Sequence, residues 1–297
     1  MKKWFIGTIA ALTLMAVTCV GENTATAADY PAGTSSDSHR AQPARITASA
    51  TEATEDTAAE AALLDLLNRS RQQTGAMAVS ADEGLRKAAV LHAQRMVVSR
   101  QLEHQFPGEP SLLRRIADVS TLPLDRAGEN IANVTCVADA HELLMQSAPH
   151  RQNLLDPRFN VVGIAALRSN GRLYVVQDFA HAISSYSTNQ TAALVSDAVL
   201  QARLNAGLGG LSRLTPSHLN EAACGLAEED HPNARVIAAS YTDRKTITYT
   251  QSRPEVLPAS ALRLLNDPNV REFAVGSCYA RNANYPTGTY WIAILLY

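Results

Sequence analysis

The pattern that most limits the fold is a predicted β-hairpin in the middle of the chain. Residues 161–167 and 173–179 are strand-like, and Asn170-Gly171 lies between them. An Asn-Gly pair between two such runs is a strong hairpin signal, because both residues accept a positive φ. Helical patterns precede the hairpin at residues 63–71, 85–96 and 137–147. Helices followed by a hairpin predict a layered α+β domain.

A capping box is predicted where the second helical pattern begins. Ser80 and Glu83 have the required spacing, in which each side chain accepts a hydrogen bond from the backbone N–H of the other. Gly75, a few residues earlier, is expected to end the first helix. The first two helices are therefore expected to be separate, with a short connection between them.

The last third of the chain repeats part of this order. Three pairs of positions correspond, namely Leu67 with Leu204, Leu85 with Leu219 and Gly163 with Gly276. The second stretch is about 20 residues shorter, in the part that carries the polar residues of the first. We therefore expect a smaller, degenerate copy of the same α+β fold over residues 192–297.

The first 27 residues have the order of a secretory signal peptide. Lys2 and Lys3 precede an apolar run, residues 4–20, and residues 25–27 supply a small-x-small cleavage pattern. The run is short for a membrane span, and no charged stop follows it. An exported protein, periplasmic or extracellular, is predicted, with no transmembrane segment after cleavage. Lipidation at Cys19 and an uncleaved N-terminal anchor remain as alternatives.

Two polar stretches divide the rest of the chain. Residues 28–59 are rich in Ser, Thr, Ala, Glu and Pro and have few large apolar side chains, which predicts a disordered tether. Residues 183–191 are expected to form a linker. The predicted domains are therefore residues 60–182 and 192–297.

Three cysteines remain once Cys19 leaves with the signal peptide. An exported chain can keep disulfides, and three thiols allow one bridge and one leftover. Cys224 and Cys278 both lie in the last third, which favours that pair and leaves Cys136 over. The alternative is three buried thiols that act as small apolar groups.

The composition is that of an ordinary globular protein, with 46% hydrophobic residues, 18% charged residues and a net charge of -2. No basic stretch indicates nucleic acid or a lipid surface as a partner. The motifs HExxH and GxSxG and the glycine-rich phosphate loop are absent from the sequence. The corresponding enzyme classes are therefore disfavoured.

Short motifs stand in a fixed order between residues 99 and 179. They are SRQLEH (99–104), GENIA (128–132), MQSAPHRQNLL (145–155), VGIA (162–165) and VQDF (176–179). In this order and at this spacing they resemble the bacterial branch of the CAP superfamily, the SCP-domain family. Cysteine-rich secretory proteins, antigen 5 and pathogenesis-related 1 proteins belong to the same superfamily.

The resemblance implies an α-β-α sandwich with an antiparallel sheet and a surface cleft. Two histidines and two acidic residues converge in the cleft of the family. His104 matches the first histidine, Glu129 the acid of the GEN motif, and His150 the second histidine. Ser147 stands where animal and plant members have the second acid. The four-residue site is therefore incomplete here, which weakens any carry-over of catalysis.

The expected supporting residues in or near the cleft are Asn130, Ser147, Arg151 and Gln177. Arg151 is expected to pair with Glu129 or another carboxylate. His104 and His150 are donors of the type that holds a divalent metal such as zinc. The same side chains suit general acid–base catalysis, because imidazole titrates near neutral pH. A third interpretation is a hydrogen-bonded cleft that orients loops or binds a ligand.

The sequence thus favours a non-enzymatic exported module that binds a ligand in this cleft. The ligand classes considered are a lipid, a cell-wall fragment and a protein. The alternative, from another functional class, is a metal-dependent, peptidase-like hydrolase that uses His104, Glu129 and His150. Metal content distinguishes these two hypotheses.

Overall fold

The computed structural model describes residues 26–27, 53–241 and 244–297. Apart from Thr26–Ala27, the predicted signal peptide lies outside the described residues, as does most of the predicted tether. In the part of the chain that is described, no helix has the length and apolar character needed to cross a membrane. Two α+β units follow each other, which we call the first unit (residues 53–182) and the second unit (residues 183–297).

The first unit is a three-layer sandwich. The elements up to its end are β1 Thr26–Ala27, β2 Thr54–Glu55, α1 Thr57–Gln73, β3 Ser80–Ala81, α2 Glu83–Ser99, α3 Leu112–Val119, β4 Leu124–Val134, α4 Val137–Gln146, α5 Ala148–Leu155, β5 Val161–Ser169 and β6 Arg172–Ala182. The sheet has the order β1-β4-β6-β5-β2, and β3 pairs in parallel with β5. One face of the sheet packs on α2, and the other packs on α1, α4 and α5. The predicted α-β-α sandwich is confirmed.

The predicted hairpin is formed by β5 and β6. Asn170 and Gly171 have φ angles of 51° and 73°, the left-handed conformation that their residue types predict. The predicted capping box is wrong. Ser80 lies in β3, where its backbone N–H donates to the Asn160 carbonyl. Because strand pairing uses Ser80, the carboxylate of Asp82 caps α2 instead and accepts the Leu85 N–H at 2.8 Å.

Helices begin inside both of the stretches that composition predicts to be unstructured. Helix α1 begins at Thr57, where Asp56 accepts the Ala59 N–H at 2.9 Å. A helix also begins at Thr188, within the predicted linker, where Ser187 and Gln190 form a capping box. Ser, Asp and Thr are frequent in disordered chain and are equally the residues that start helices. Polar composition alone therefore places these boundaries too late.

The second unit has the same topology as the first. Its elements are α6 Thr188–Asn205, β7 Ser212–Leu214, α7 Leu219–Glu228, α8 Ala234–Ser240, β8 Lys245–Gln251, α9 Ala259–Leu265, β9 Glu272–Ala280 and β10 Thr289–Leu296. Its sheet order, β7-β9-β10-β8, reproduces β3-β5-β6-β4 of the first unit. Strand β7 is parallel to β9, as β3 is to β5. The expected smaller, degenerate copy is confirmed.

A buried arginine on the first helix of each unit shows how closely the two copies correspond. Arg71 donates to the carbonyl oxygens of Met77, Leu154, Asp156 and Phe159 at 2.7–3.0 Å. Arg203 donates to the equivalent carbonyl oxygens, those of Gly209, Leu265, Asp267 and Val270. The predicted match of Leu67 with Leu204 is therefore wrong. Leu67 is fully buried, whereas Leu204 is 61% exposed.

The predicted glycine correspondence is real and has a steric cause. A Cβ at Gly163 would lie 2.1 Å from the Leu85 carbonyl carbon, and a Cβ at Gly276 would lie 2.4 Å from the Leu219 carbonyl oxygen. In both units the second helix rests directly on the strand at this glycine. These contacts also align Leu85 with Leu219, as the apolar spacing predicts.

Two cysteines of the second unit form a disulfide. Cys224 on α7 is bonded to Cys278 on β9, the pairing that the sequence favours. Cys136 is also disulfide-bonded, so the expectation that it is left over is wrong. Among the described residues there is no free cysteine.

Candidate functional site

A groove of about 360 Å³ lies beside β4 in the first unit. The polar residues that line it include His104, Glu129, His150 and Asn153, and its apolar walls include Leu112 and Pro149. The groove therefore brings together the three residues that the sequence motifs single out. Its size is near the lower end of small-molecule sites, about 300–1000 Å³.

His104 enters the groove from the loop between α2 and α3. Arg100 ends α2 in the left-handed conformation, with a φ of 55°, and turns the chain into this loop. The imidazole Nδ1 of His104 lies 2.8 Å from Oε1 of Glu129, and the His104 side chain is 18% exposed. Glu129 is on β4 and is almost buried. His104 is thus the solvent-facing end of a histidine–carboxyl pair.

His150 faces His104 from the other side of the groove. The two rings are stacked with centroids 6.3 Å apart. Nδ1 of His150 lies 2.8 Å from the Ser147 hydroxyl, and Asn130 donates to the His150 carbonyl oxygen at 3.1 Å. Ser147 and Asn130 therefore set the orientation of His150 at the start of α5.

The glycine of the GEN motif allows α5 to approach β4. A Cβ at Gly128 would lie 2.9 Å from Oδ1 of Asn153 and 3.1 Å from the ring of Phe159. Asn153 uses this proximity to donate to the Glu129 carbonyl oxygen at 3.1 Å and to Oδ1 of Asn130 at 3.0 Å. The motifs GENIA and HRQN are thus joined by side-chain contacts across the edge of the sheet.

Beneath His104 lies a set of buried charged and polar side chains that we call the buried cluster. Its members are His92, Glu109, Arg115, Glu129 and Asp178, all of which are buried. Arg115 on α3 forms an ion pair with Glu129 and donates to the His104 carbonyl oxygen at 3.0 Å. His92 Nδ1 lies 2.9 Å from Oε1 of Glu109. The cluster links α2, α3 and the sheet below the groove.

Glu129 and Asp178 face each other across β4 and β6. Burial raises the pKa of Glu129 to about 7, although the Arg115 guanidinium opposes the shift. Burial, followed by the charge of Glu129, raises the pKa of Asp178 well above its ordinary value. Neither carboxyl oxygen of Asp178 has a donor among the described residues. A hydrogen bond between the two carboxyls requires a proton on one of them.

His92 and Glu109 form the other pair in the cluster, and both of their pKa values are lowered instead of raised. Burial, assisted by the positive charge of Arg115, lowers the pKa of His92 and keeps its imidazole neutral. Burial alone would raise the pKa of Glu109, but the Phe106 N–H and His92 outweigh it and hold that pKa below its ordinary value. Glu109 is thus the ionised partner of Arg115, whose Nη1 lies 3.5 Å from Oε2.

The predicted supporting residues have different places. Asn130 and Gln177 are fully buried beneath the groove and do not line it. Arg151 is exposed, and its guanidinium donates to the Met145 carbonyl oxygen at 2.9 Å. The expected pairing of Arg151 with Glu129 is wrong, because Arg115 occupies that carboxylate.

The donors of the groove do not fit a zinc site. Arg115 places a cation on the Glu129 carboxylate, where a metal ion would need a free oxygen ligand. In residues 53–241 and 244–297, no three His, Cys, Asp or Glu side chains are grouped so that they could hold an ion. The predicted metal ligation by His104 and His150 therefore has no support in this geometry.

Sequence reasoning missed Arg115, Glu109 and Asp178. One signal was present for Arg115, which shares the helical face of Leu112, Ile116 and Val119 and so occupies a position where an apolar residue is expected. Asp178 lies within the VQDF motif, but only the register of β4 against β6 puts it opposite Glu129. His92 has Ala and Leu neighbours on α2, which predict a packing residue, but its two hydrogen bonds place it in the cluster.

The second unit lacks the cluster at the equivalent positions. Gly163 pairs with Asp178 and Gly276 pairs with Ala293, so Ala293 stands where the first unit has Asp178. Glu129 pairs with Asp178 and Thr248 pairs with Ala293, so Thr248 stands where the first unit has Glu129. The helix contacts at the two glycines align Leu85 with Leu219, so Leu226 stands where the first unit has His92. The copy therefore keeps the buried arginine and the glycine contact, which maintain the fold, without these polar residues.

Comparison with known proteins agrees with the motifs. Residues 64–179 match the model of the cysteine-rich secretory protein family, CAP. The uncharacterized protein YkwD of Bacillus subtilis (strain 168) is 31% identical over 113 residues, which make up 37% of this chain and 43% of that protein. The chain thus spans less than half the length of this relative.

Two solved structures are similar to part of the chain. The first is an extracellular protein containing a SCP domain from Bacillus anthracis str. Ames, with 23% identity, a TM-score of 0.38 and coverage of 42% of this chain and 41% of that one. The second is an outer surface protein from Borrelia burgdorferi, with 16% identity, a TM-score of 0.41 and coverage of 44% and 99%.

Proposed function

Since residues 64–179 of this chain belong to the cysteine-rich secretory protein (CAP) family, we propose that the protein is an exported ligand-binding module. The binding site is the groove between His104 and His150. Export is supported by the signal-peptide pattern of residues 1–27. The ligand is a cell-wall fragment, because a groove of about 360 Å³ accepts one or two sugar or amino-acid units more readily than a complete lipid.

The observation that carries this proposal is the difference between the two units. Both fold with the same topology, the same buried arginine and the same glycine contact. Only the first unit has Glu129, Asp178 and His92, and the second has Thr248, Ala293 and Leu226 in their places. Buried carboxyls and unpaired polar groups cost stability. Since the copy folds without them, a role in binding explains their presence better than a role in the fold.

The groove chemistry suits a ligand rich in amide and hydroxyl groups. Imidazoles and the Asn153 amide supply both donors and acceptors, and Leu112 and Pro149 supply apolar contact for methyl groups. A peptidase mechanism that requires zinc is disfavoured because Arg115 neutralises Glu129. The groove therefore supports recognition better than hydrolysis.

We expect the double variant His104→Ala/His150→Ala to bind purified peptidoglycan sacculi at least about tenfold more weakly than the wild type. The reason is that both polar walls of the groove are lost. Co-sedimentation measures the affinity, and metal analysis of the same samples measures zinc. His218→Ala is the matched control, because the His218 side chain is exposed and, among the described residues, bonds to the Glu221 carboxylate outside the groove.

Two results would contradict the proposal. Equal binding of sacculi by the double variant and the wild type would show that the groove is not the binding site. Stoichiometric zinc in the wild type that is lost in the double variant, together with peptide hydrolysis, would favour the metal-dependent hydrolase instead.

A further inference from the structure

The second unit holds the end of helix α3 in the first unit. Arg281 Nη1 donates to the carbonyl oxygens of Ala117 at 3.2 Å and Ser120 at 2.9 Å. The last carbonyls of a helix have no partner within the helix, and a cation is favoured at that end. Arg281 therefore satisfies the C-terminal end of α3 (Leu112–Val119) from the other unit.

The second unit also holds the start of β4. The hydroxyl of Thr287, which is buried, donates to the Leu124 carbonyl oxygen at 3.1 Å. The hydroxyl of Ser252 donates to the Asp125 carboxylate at 3.0 Å. Together with Arg281, these contacts fix the connection between α3 and β4.

Arg281 and Thr287 come from a part of the second unit where the repeat is broken. The strands β5 and β6 are joined by two residues, Asn170 and Gly171. The equivalent strands β9 and β10 are joined by residues 281–288. The longer connection is not needed to close the hairpin, and it carries both of these anchors.

Helix α3 in turn carries two residues of the site. Leu112 at its start is a wall of the groove. Arg115, one turn later, pairs with Glu129 and donates to the backbone of His104. The placement of α3 thus determines both the width of the groove and the hold of Arg115 on the histidine–carboxyl pair.

We propose that the second unit is a positioning element for the groove of the first. Arg281 holds the end of α3, Thr287 holds the start of β4, and α3 holds Arg115 against Glu129 and the His104 loop. The inference rests on the proposed function only in taking this groove as the site. The second unit lacks the polar residues of the buried cluster at the equivalent positions. Its longer β9–β10 connection instead contacts the elements that support the site of the first unit.

The test uses the full chain with Arg281→Ala, Thr287→Val and the double variant. Side-chain carboxyl NMR follows the titration of Glu129, and amide hydrogen exchange follows residues 112–119. We expect the Glu129 midpoint to rise by about 0.5 pH unit or more in the double variant, because Arg115 lowers it in the wild type. Exchange in α3 is expected to be about fivefold to tenfold faster.

Two matched variants keep this test specific. Thr287→Ser retains the hydroxyl and is expected to give the wild-type Glu129 midpoint and the wild-type exchange rate in residues 112–119. Arg213→Ala removes an exposed arginine of the second unit and is expected to change neither readout.

An unchanged Glu129 midpoint in the double variant would overturn the proposal. This holds even if unfolding curves and faster exchange in every helix show that the variant is less stable as a whole. Neither readout needs a ligand. A wild-type protein that does not bind sacculi would therefore contradict the proposed function while leaving this test decisive.

Discussion

Replacement of Arg71 by Met is expected to lower the free energy of unfolding of the first unit by about 4 kcal/mol. The guanidinium is fully buried and donates to four carbonyl oxygens that belong to the α1–β3 loop, the end of α5 and the segment after it. Methionine fills similar space but supplies no donor to these carbonyls, of which the Asp156 oxygen still accepts from the Phe159 N–H at 3.2 Å. Urea unfolding followed by circular dichroism measures the loss.

The second unit offers the same experiment independently. Arg203→Met is expected to have an effect of similar size, because Arg203 has the equivalent four acceptors. Arg69→Met is the control on the same helix as Arg71, since Arg69 is 63% exposed and pairs only with Asp65 at 3.6 Å. A loss below about 1 kcal/mol for both buried arginines would show that neither arginine stabilises its own unit as described.

The second large effect concerns pH. Glu129 and Asp178 both have a pKa in the folded protein above the ordinary carboxyl value. The unfolded chain therefore releases these protons at lower pH than the folded chain does. The stability that this pair contributes is complete below about pH 4 and falls as the pH rises, and the part that Glu129 contributes is lost as the pH rises through about 7.

Asp178→Asn is expected to remove the part of this dependence that Asp178 contributes. The Asn amide donates a hydrogen bond to Glu129 without a titrating proton, while the burial that raises the Glu129 pKa remains. Relative to the wild type, the variant is expected to gain stability as the pH rises from 5 to 8, by at most about 1.4 kcal/mol for each pH unit. The difference between the two curves is the relevant quantity, because the lowered pKa of His92 contributes in the opposite direction to both.

Thermal or urea unfolding at each pH provides these curves. Asp65→Asn, at an exposed acid, is the control and is expected to give a curve parallel to the wild type. Parallel curves for wild type and Asp178→Asn would contradict the raised pKa of Asp178.

The fold could be predicted from local patterns to a large extent. The Asn170-Gly171 turn and the repeated contact of a helix on a glycine strand are short-range signals, and both are present. The match of Leu67 with Leu204 aligns the first helix of the repeat wrongly. Both leucines are followed by an asparagine, and such a Leu-Asn pair is too common to be diagnostic. The diagnostic residue is Arg203, whose role is visible only through the carbonyls it reaches more than 60 residues later.

The site could be predicted only as far as its motifs extend. His104, Glu129 and His150 were found because each stands in a recognisable run. Arg115 and Asp178 reach the same place from a helix and a strand that no motif joins to Glu129. Their role depends on strand register and on the packing of α3, and the packing of α3 depends in part on the second unit.

The central claim is that the buried cluster serves binding and is dispensable for folding. The double variant Glu129→Thr/Asp178→Ala, which installs the residues of the second unit, tests it most directly in one sacculus co-sedimentation assay on protein whose unfolding curve has been recorded. The account predicts a folded protein that binds sacculi at least about tenfold more weakly. Wild-type binding by the folded variant, or failure of the variant to fold, would contradict it.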